Sequence, residues 1–205
     1  MNAVDAANKA EIAMMHAVLA NKFGQLYADI WKVGVNLSLR ISDLLTLKYT
    51  DLNLEERSLK LTEAKTGKLK TIRLNSAAIL AIVRRQQENP ADTWLFQVHS
   101  NRAKDKPVSR VSVSRVFKDA GELLGLTINT HSMRKSRGMA MYKDGVPVEK
   151  IAKVLNPLEY HFNIALFGDY SVQRNLFNEV IAAFIGTFMP TMVHLNPEFQ
   201  PIVNA

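Results

Sequence analysis

The sequence predicts an α+β fold that is mainly helical and carries one small antiparallel sheet. Three observations predict it. Apolar residues recur at helical spacing through most of the 205 residues. Only residues 58–74 switch to two-residue alternation, around the turn Lys65-Thr66-Gly67-Lys68. In the second half, Gly125, Gly145-Val146-Pro147 and Pro157 stand about one helix length apart. With 47% apolar and 22% charged residues, the chain can bury one substantial core, with room for a small appendage.

Taken in order, residues 3 to about 21 are rich in Ala and Met and read as a helix. A second helix is expected over about 22–37, with Phe23, Leu26, Tyr27, Ile30, Val33 and Val35 in one broad stripe. A short helix follows over 43–47, opened by Ser42 and Asp43. Strands are expected over 58–64 and 69–74. Helix resumes over 76–87 with Ser76 as its cap. Trp94-Leu95-Phe96 is a short apolar run, and 100–107 reads as a polar, basic loop. From 109 the pattern is helical again, over about 109–124, 132–143, 147–155 and 173–185. Leu176, Phe177, Val180, Ile181 and Phe184 form one stripe of the last helix, suited to the chain's own core or to a neighbouring protomer. The expected division is an N-terminal helix or remnant (1–21), a main domain (22–188) and a tail (189–205).

Lys and Arg exceed Asp and Glu by seven, and the isoelectric point is about 9.6. Such a surface favours polyanions, phosphate backbones before anionic membranes. The absence of cysteine excludes disulfides, thiolate zinc sites and a cysteine nucleophile. The histidines at 16, 99, 131, 161 and 194 show no metal-ligand spacing, so no metal is expected. No apolar run approaches a membrane span, and residues 1–5 lack the basic start of a signal peptide. A cytoplasmic protein with no cofactor and no membrane partner is the expectation.

Four groups of residues carry chemistry. Arg40 has Asp43 three positions on, where a carboxylate can orient a guanidinium for two-pronged phosphate binding. Lys65, Lys68 and Lys70 cluster at the hairpin, and as residues alone they are equivalent candidates for protonating a leaving oxygen. His131 and Arg134 lie one turn apart on one helix face. His161 and Tyr170 stand nine residues apart further on. Arginines can clamp a phosphate, lysine and histidine can move protons, and a tyrosine hydroxyl can take up the phosphoryl group, all without a metal.

Their order adds a resemblance. Leu39-Arg40-Ile41-Ser42-Asp43-Leu44-Leu45-Thr46-Leu47, followed by Asp51, resembles the first arginine box of the tyrosine recombinases, or phage integrase family. Lys65-Thr66-Gly67-Lys68 with Ile72-Arg73-Leu74 resembles its lysine hairpin, and Thr130-His131-Ser132-Met133-Arg134-Lys135-Ser136 its His-x-x-Arg box. The stretch 145–156 looks like the helix leading to its second histidine. The resemblance covers about 22–175. It implies the catalytic-domain fold of that family and a site-specific strand transferase acting on double-stranded DNA as a homotetramer, monomeric or weakly associated without DNA. It also implies a bacterial, phage or plasmid origin. Arg40 and Arg134 would hold the scissile phosphate, Lys65 would protonate the leaving 5′ oxygen, and His131 would serve in proton transfer. His161 would be the second histidine and Tyr170 the nucleophile. Lys68, Lys70, Arg102, Lys104, Arg110, Arg115 and Lys135 would take up the DNA backbone.

The chain departs from the family pattern in three places. The family places histidine directly after the helix ending Leu155-Asn156, and its nucleophile nine residues later; here Pro157 and Leu166 stand there. Taking 157–160 as a four-residue insertion restores the spacing with His161 and Tyr170, and Pro157 suits an extra loop. Ungapped, both groups are lost, and the chain would be a DNA-binding protein keeping the Arg-His-Arg pocket. Ser38 stands where the family usually has glycine. Arg40 comes early, which suggests a minimal recombinase or a catalytic-domain fragment.

Overall fold

The computed structural model describes residues 5–65, 67–100 and 103–155. It divides into two compact units, one ending at Arg137 and the other beginning at Gly138.

The first unit opens with α1 (Lys9–Val18), capped by Asn8, whose side chain accepts from the amides of Ala10 and Glu11 while Glu11 accepts from the Asn8 amide. One wider π turn, Leu19–Phe23, continues it. Gly24, at φ 100°, breaks the rod and starts α2 (Gln25–Leu37). The break between the first two helices therefore falls at Gly24 rather than near residue 21. Trp31 on α2 is fully buried, donates its indole N–H to the Ile12 carbonyl at 3.1 Å, and meets Phe117 edge-on at 5.4 Å. Asp29, also buried, pairs with Arg84 and, at 3.3 Å, with Arg85, so its charge is compensated where α2 packs on α4.

The expected short helix is α3 (Ile41–Leu45), two residues earlier than read. Strands β1 (Leu52–Asn53), β2 (Ser58–Thr62) and β3 (Leu69–Arg73) form an antiparallel sheet in that order. Helix α4 (Ser76–Glu88) is capped by Asn75, which accepts from the Ala78 amide; Ser76, the expected cap, is its first residue.

The basic stretch expected as a loop is mostly a second hairpin, β4 (Gln97–Ser100) with β5 (Ala103–Pro107). It has little apolar alternation because backbone pairing and the buried Leu95-Phe96 beneath its start hold it. Helix α5 (Arg110–Glu122), capped by Ser109, lays Val113, Val116 and Phe117 into the core.

Helix α6 (Ser132–Lys143) begins in the first unit. In the second unit it ends at a turn where Gly145 takes φ 75° and Val146 donates to the Met141 carbonyl; α7 (Val148–Leu155) follows. Helices and small antiparallel sheets thus match the expected class, with two sheets instead of one. Residues 156–205, including the expected helix at 173–185 and the tail, lie outside the described residues.

Candidate functional site

Arg40 sits between two local devices. Upstream, Ser38 ends α2 in the left-handed region (φ 54°, ψ 30°), its amide donating to the Gly34 carbonyl at 2.9 Å. That reversal explains the family's preference for glycine there. Downstream, the Arg40 carbonyl accepts from the Leu44 amide, so Arg40 is the N-cap residue of α3.

The guanidinium is largely enclosed, with a side chain only 11% exposed. Its Nη1 lies 3.3 Å from a carboxylate oxygen of Glu63 and 4.0 Å from Asp43. Both carboxylates are buried. The other Asp43 oxygen accepts from the Ala64 amide at 3.1 Å, which ties α3 to the hairpin beside Lys65. Asp43, the expected orienting carboxylate, thus stands at the outer limit of an ion pair with Arg40. Glu63 was not among the expected residues, although its position was visible. It continues the inward phase Leu59, Leu61, Glu63, where an acid among apolar neighbours needs a partner.

The hairpin turn closes through the Glu63 amide on the Lys68 carbonyl and the Gly67 amide on the Glu63 carbonyl. Lys65 and Lys68 are exposed at this tip, whereas Lys70 on β3 is half-buried. Burial, above all, holds the Lys70 ammonium below its ordinary pKa. Glu63 opposes the shift, Arg134 and Arg40 add to it, and Asp43 opposes it. Lys70 therefore feels both arginines at once.

The His-x-x-Arg box starts from a compact turn. Asn129 donates its amide to the Ser132 hydroxyl and accepts from the His131 amide through its side chain at 2.7 Å. His131 is exposed and Arg134 is buried. Between them Met133 is fully buried against Gly34, which also touches Leu44. One glycine thus joins α2, α3 and α6, the helices that place Arg40 and Arg134.

Of the expected backbone contacts, Arg110 and Arg115 are exposed on α5, Lys104 stands on β5, and Arg102 lies outside the described residues. Lys135 requires correction. It is 2% exposed, and burial, partly opposed by Asp5, pushes its pKa down to about 8. Residues 5–7 run beside it: Asp5 exchanges hydrogen bonds with Thr127, and the Ala7 amide donates to the Ser136 hydroxyl at 2.9 Å. Lys135 is interior, not part of a DNA-facing surface. His161 and Tyr170 lie outside the described residues. Among those described, no three His, Asp or Glu side chains gather as a metal site, and no helix is long and apolar enough to cross a membrane.

A mainly helical domain, a lysine hairpin, an enclosed Arg40 at the start of α3 and a buried Arg134 on α6 define a tyrosine-recombinase catalytic domain. The chain belongs to the phage integrase family, whose model matches residues 8–170. It is 31% identical over 124 residues to the probable integrase/recombinase YoeC of Bacillus subtilis (strain 168), covering 60% of this chain and 66% of that one. It is 28% identical over 117 residues to the tyrosine recombinase XerA of Pyrococcus furiosus, covering 57% and 41%. Among solved structures, the Tn1549 transposon integrase in complex with a circular intermediate DNA superposes with a TM-score of 0.64 at 16% identity, over 82% of this chain and 62% of that one. The matches span less than two thirds of these relatives' lengths.

Proposed function

We propose that this protein is a site-specific DNA recombinase that cuts and rejoins strands through a 3′-phosphotyrosine, with neither metal nor ATP. The observation that carries it is that Arg40 and Arg134, both largely withdrawn from solvent, act together on the half-buried Lys70, with Glu63 at 3.3 Å from Arg40. Fixed cations in a partly dry pocket are what a phosphoryl-transfer transition state requires.

Arg40 and Arg134 grip the non-bridging oxygens of the scissile phosphate. The Tyr170 hydroxyl attacks phosphorus: the P–O(Tyr) bond forms and the bond to the 5′ oxygen breaks. The phenolic proton passes to His131, and Lys65 gives a proton to the departing 5′ oxygen. His161, as the second histidine, assists in holding the phosphate. Rejoining reverses these steps with a new 5′ hydroxyl. The nine-residue spacing of His161 and Tyr170 supports taking 157–160 as an insertion. DNA is held as a homotetramer on two duplexes, with a monomer or weak oligomer in its absence. Lys68, Lys70, Lys104, Arg110 and Arg115 serve the DNA, together with Arg102. The setting is the bacterial cytoplasm.

The second reading, an inactive DNA-binding regulator with the same pocket, is favoured by Asn156-Pro157 standing where the family has histidine. A nicked suicide duplex carrying the crossover site decides between them. The enzyme accumulates a covalent protein–DNA adduct that Tyr170→Phe abolishes, whereas the regulator binds and forms none. An adduct that survives Tyr170→Phe makes Tyr160 the next residue to replace.

A further inference from the structure

The hairpin carries three lysines, and its register separates them. Leu61 pairs with Lys70, and Leu59 with Ile72. Directly opposed residues of an antiparallel pair share a face, so Lys70 and Ile72 lie on the side of Leu59 and Leu61. That side is the buried one, since Leu59 and Leu61 are 0% and 8% exposed. Two residues beyond Leu61 on the same phase stands Glu63, 5% exposed and 3.3 Å from Arg40. Lys65 and Lys68 are exposed at the tip.

The charge balance gives this placement a consequence. Arg40 with Glu63 at 3.3 Å and Asp43 at 4.0 Å is by itself one charge negative, which repels a phosphodiester. Lys70 and Arg134, whose fields meet, add two positive charges and leave the group one charge positive, equal and opposite to a phosphodiester. The transition state gains a further negative charge, for which a fixed ammonium is stabilising. A buried carboxylate such as Glu63 is costly unless it faces cations, and the fields of Lys70 and Arg40 both reach it.

We propose that Lys70 is the third cation of the phosphate pocket, donating to a non-bridging oxygen of the scissile phosphate, and that Glu63 is the positioning residue aiming both Lys70 and Arg40. Lys70 keeps its proton throughout, in distinction from Lys65. The proposal rests on the strand-transferase reading above for its catalytic part, while its binding part is independent.

Two measurements test it. In isotope-labelled full-length protein titrated with inorganic phosphate, the Lys70 side-chain resonance should move with those of Arg40 and Arg134 along one saturation curve. Lys65 and Lys68 should move less. Lys70→Met should weaken phosphate binding about tenfold, and Lys70→Arg should restore most of it. A Lys70 resonance that is silent while the arginines respond overturns the proposal.

The second measurement is adduct formation on the nicked duplex, compared with a duplex whose leaving 5′ oxygen is replaced by sulfur. A thiolate leaves without a proton, because its pKa is several units below that of an alcohol. Lys65→Met should be rescued by sulfur; Lys70→Met should lose about 100-fold on both substrates. Glu63→Gln should lose activity on both, with weaker phosphate binding. Rescue of Lys70→Met by sulfur would make Lys70 the proton donor and overturn the assignment, as would an unchanged rate on both. A Lys70 that responds to phosphate in a wild-type protein forming no adduct upholds the pocket and sinks the recombinase reading alone.

Discussion

Met133 packs its sulfur directly onto the backbone of Gly34, so that the residue between His131 and Arg134 is seated on the helix leading to Arg40. A Cβ at position 34 would overlap that sulfur and stand 3.0 Å from Leu44 Cδ2. Alanine is the better helix former by about 1 kcal/mol. Overpacking a closed core costs about 1–3 kcal/mol, and Met133 is fully buried, so it has nowhere to swing. The overlap wins. Gly34→Ala should lower stability by about 1–2 kcal/mol in urea melts and weaken phosphate binding, because it pushes α6 away from α3. A variant as stable as the wild type would show that Met133 is not confined.

Ser38 makes the opposite case. It holds a left-handed conformation that costs a non-glycine residue about 1 kcal/mol. Its buried hydroxyl finds no hydrogen-bond partner among the described residues. Glycine removes both penalties, and against them its freer unfolded chain costs about 0.5–1 kcal/mol. Ser38→Gly should therefore stabilise the protein by about 1 kcal/mol, read as a higher urea midpoint at unchanged slope. A loss of stability would mean that the hydroxyl is engaged in solution.

The parts legible in the sequence were those encoded at short range. Arg40 with Asp43, the hairpin around Lys65-Thr66-Gly67-Lys68, and His131 with Arg134 are each fixed by spacings of a few residues. What was hidden depends on which face meets the core. The inward phase of β2 carries Glu63 to Arg40, but an acid at that phase does not say which cation it will meet. Lys135 follows Arg134 of the His-x-x-Arg box and reads as basic surface, yet residues 5–7 run along that side of α6. The second hairpin was missed because 97–107 is polar and its strands are held by backbone pairing.

Lys135 should leave a signature in the pH dependence of stability. Its pKa is about 8 in the folded chain and near 10.5 unfolded. Between those values the unfolded state binds more protons, so stability rises with pH across about pH 8 to 10.5 and is flat for this group below pH 8. The full rise is up to about 3 kcal/mol at about 1.4 kcal/mol per pH unit. Lys135→Met should flatten the rise in urea midpoints between pH 7.5 and 10. A wild-type profile matching that of Lys135→Met would place the ammonium in water.

Asp43 serves two elements with one carboxylate, and the distances say which service dominates. Arg40 is nearer to Glu63, at 3.3 Å, than to Asp43, at 4.0 Å. The Ala64 amide, by contrast, lies 3.1 Å from Asp43 Oδ1, a normal hydrogen bond at the base of the Lys65 turn. Asp43→Ala should free that turn, cutting adduct formation about 100-fold through misplacement of Lys65, while stability falls by about 1 kcal/mol. Asparagine keeps a carbonyl oxygen for the Ala64 amide and loses only the charge. Asp43→Asn should therefore recover most of the rate, and sulfur in place of the leaving oxygen should recover much of the Asp43→Ala deficit. If Asn were as slow as Ala on both substrates, the charge on Arg40 would be the chief service of Asp43, and the link from α3 to Lys65 would carry little of the rate.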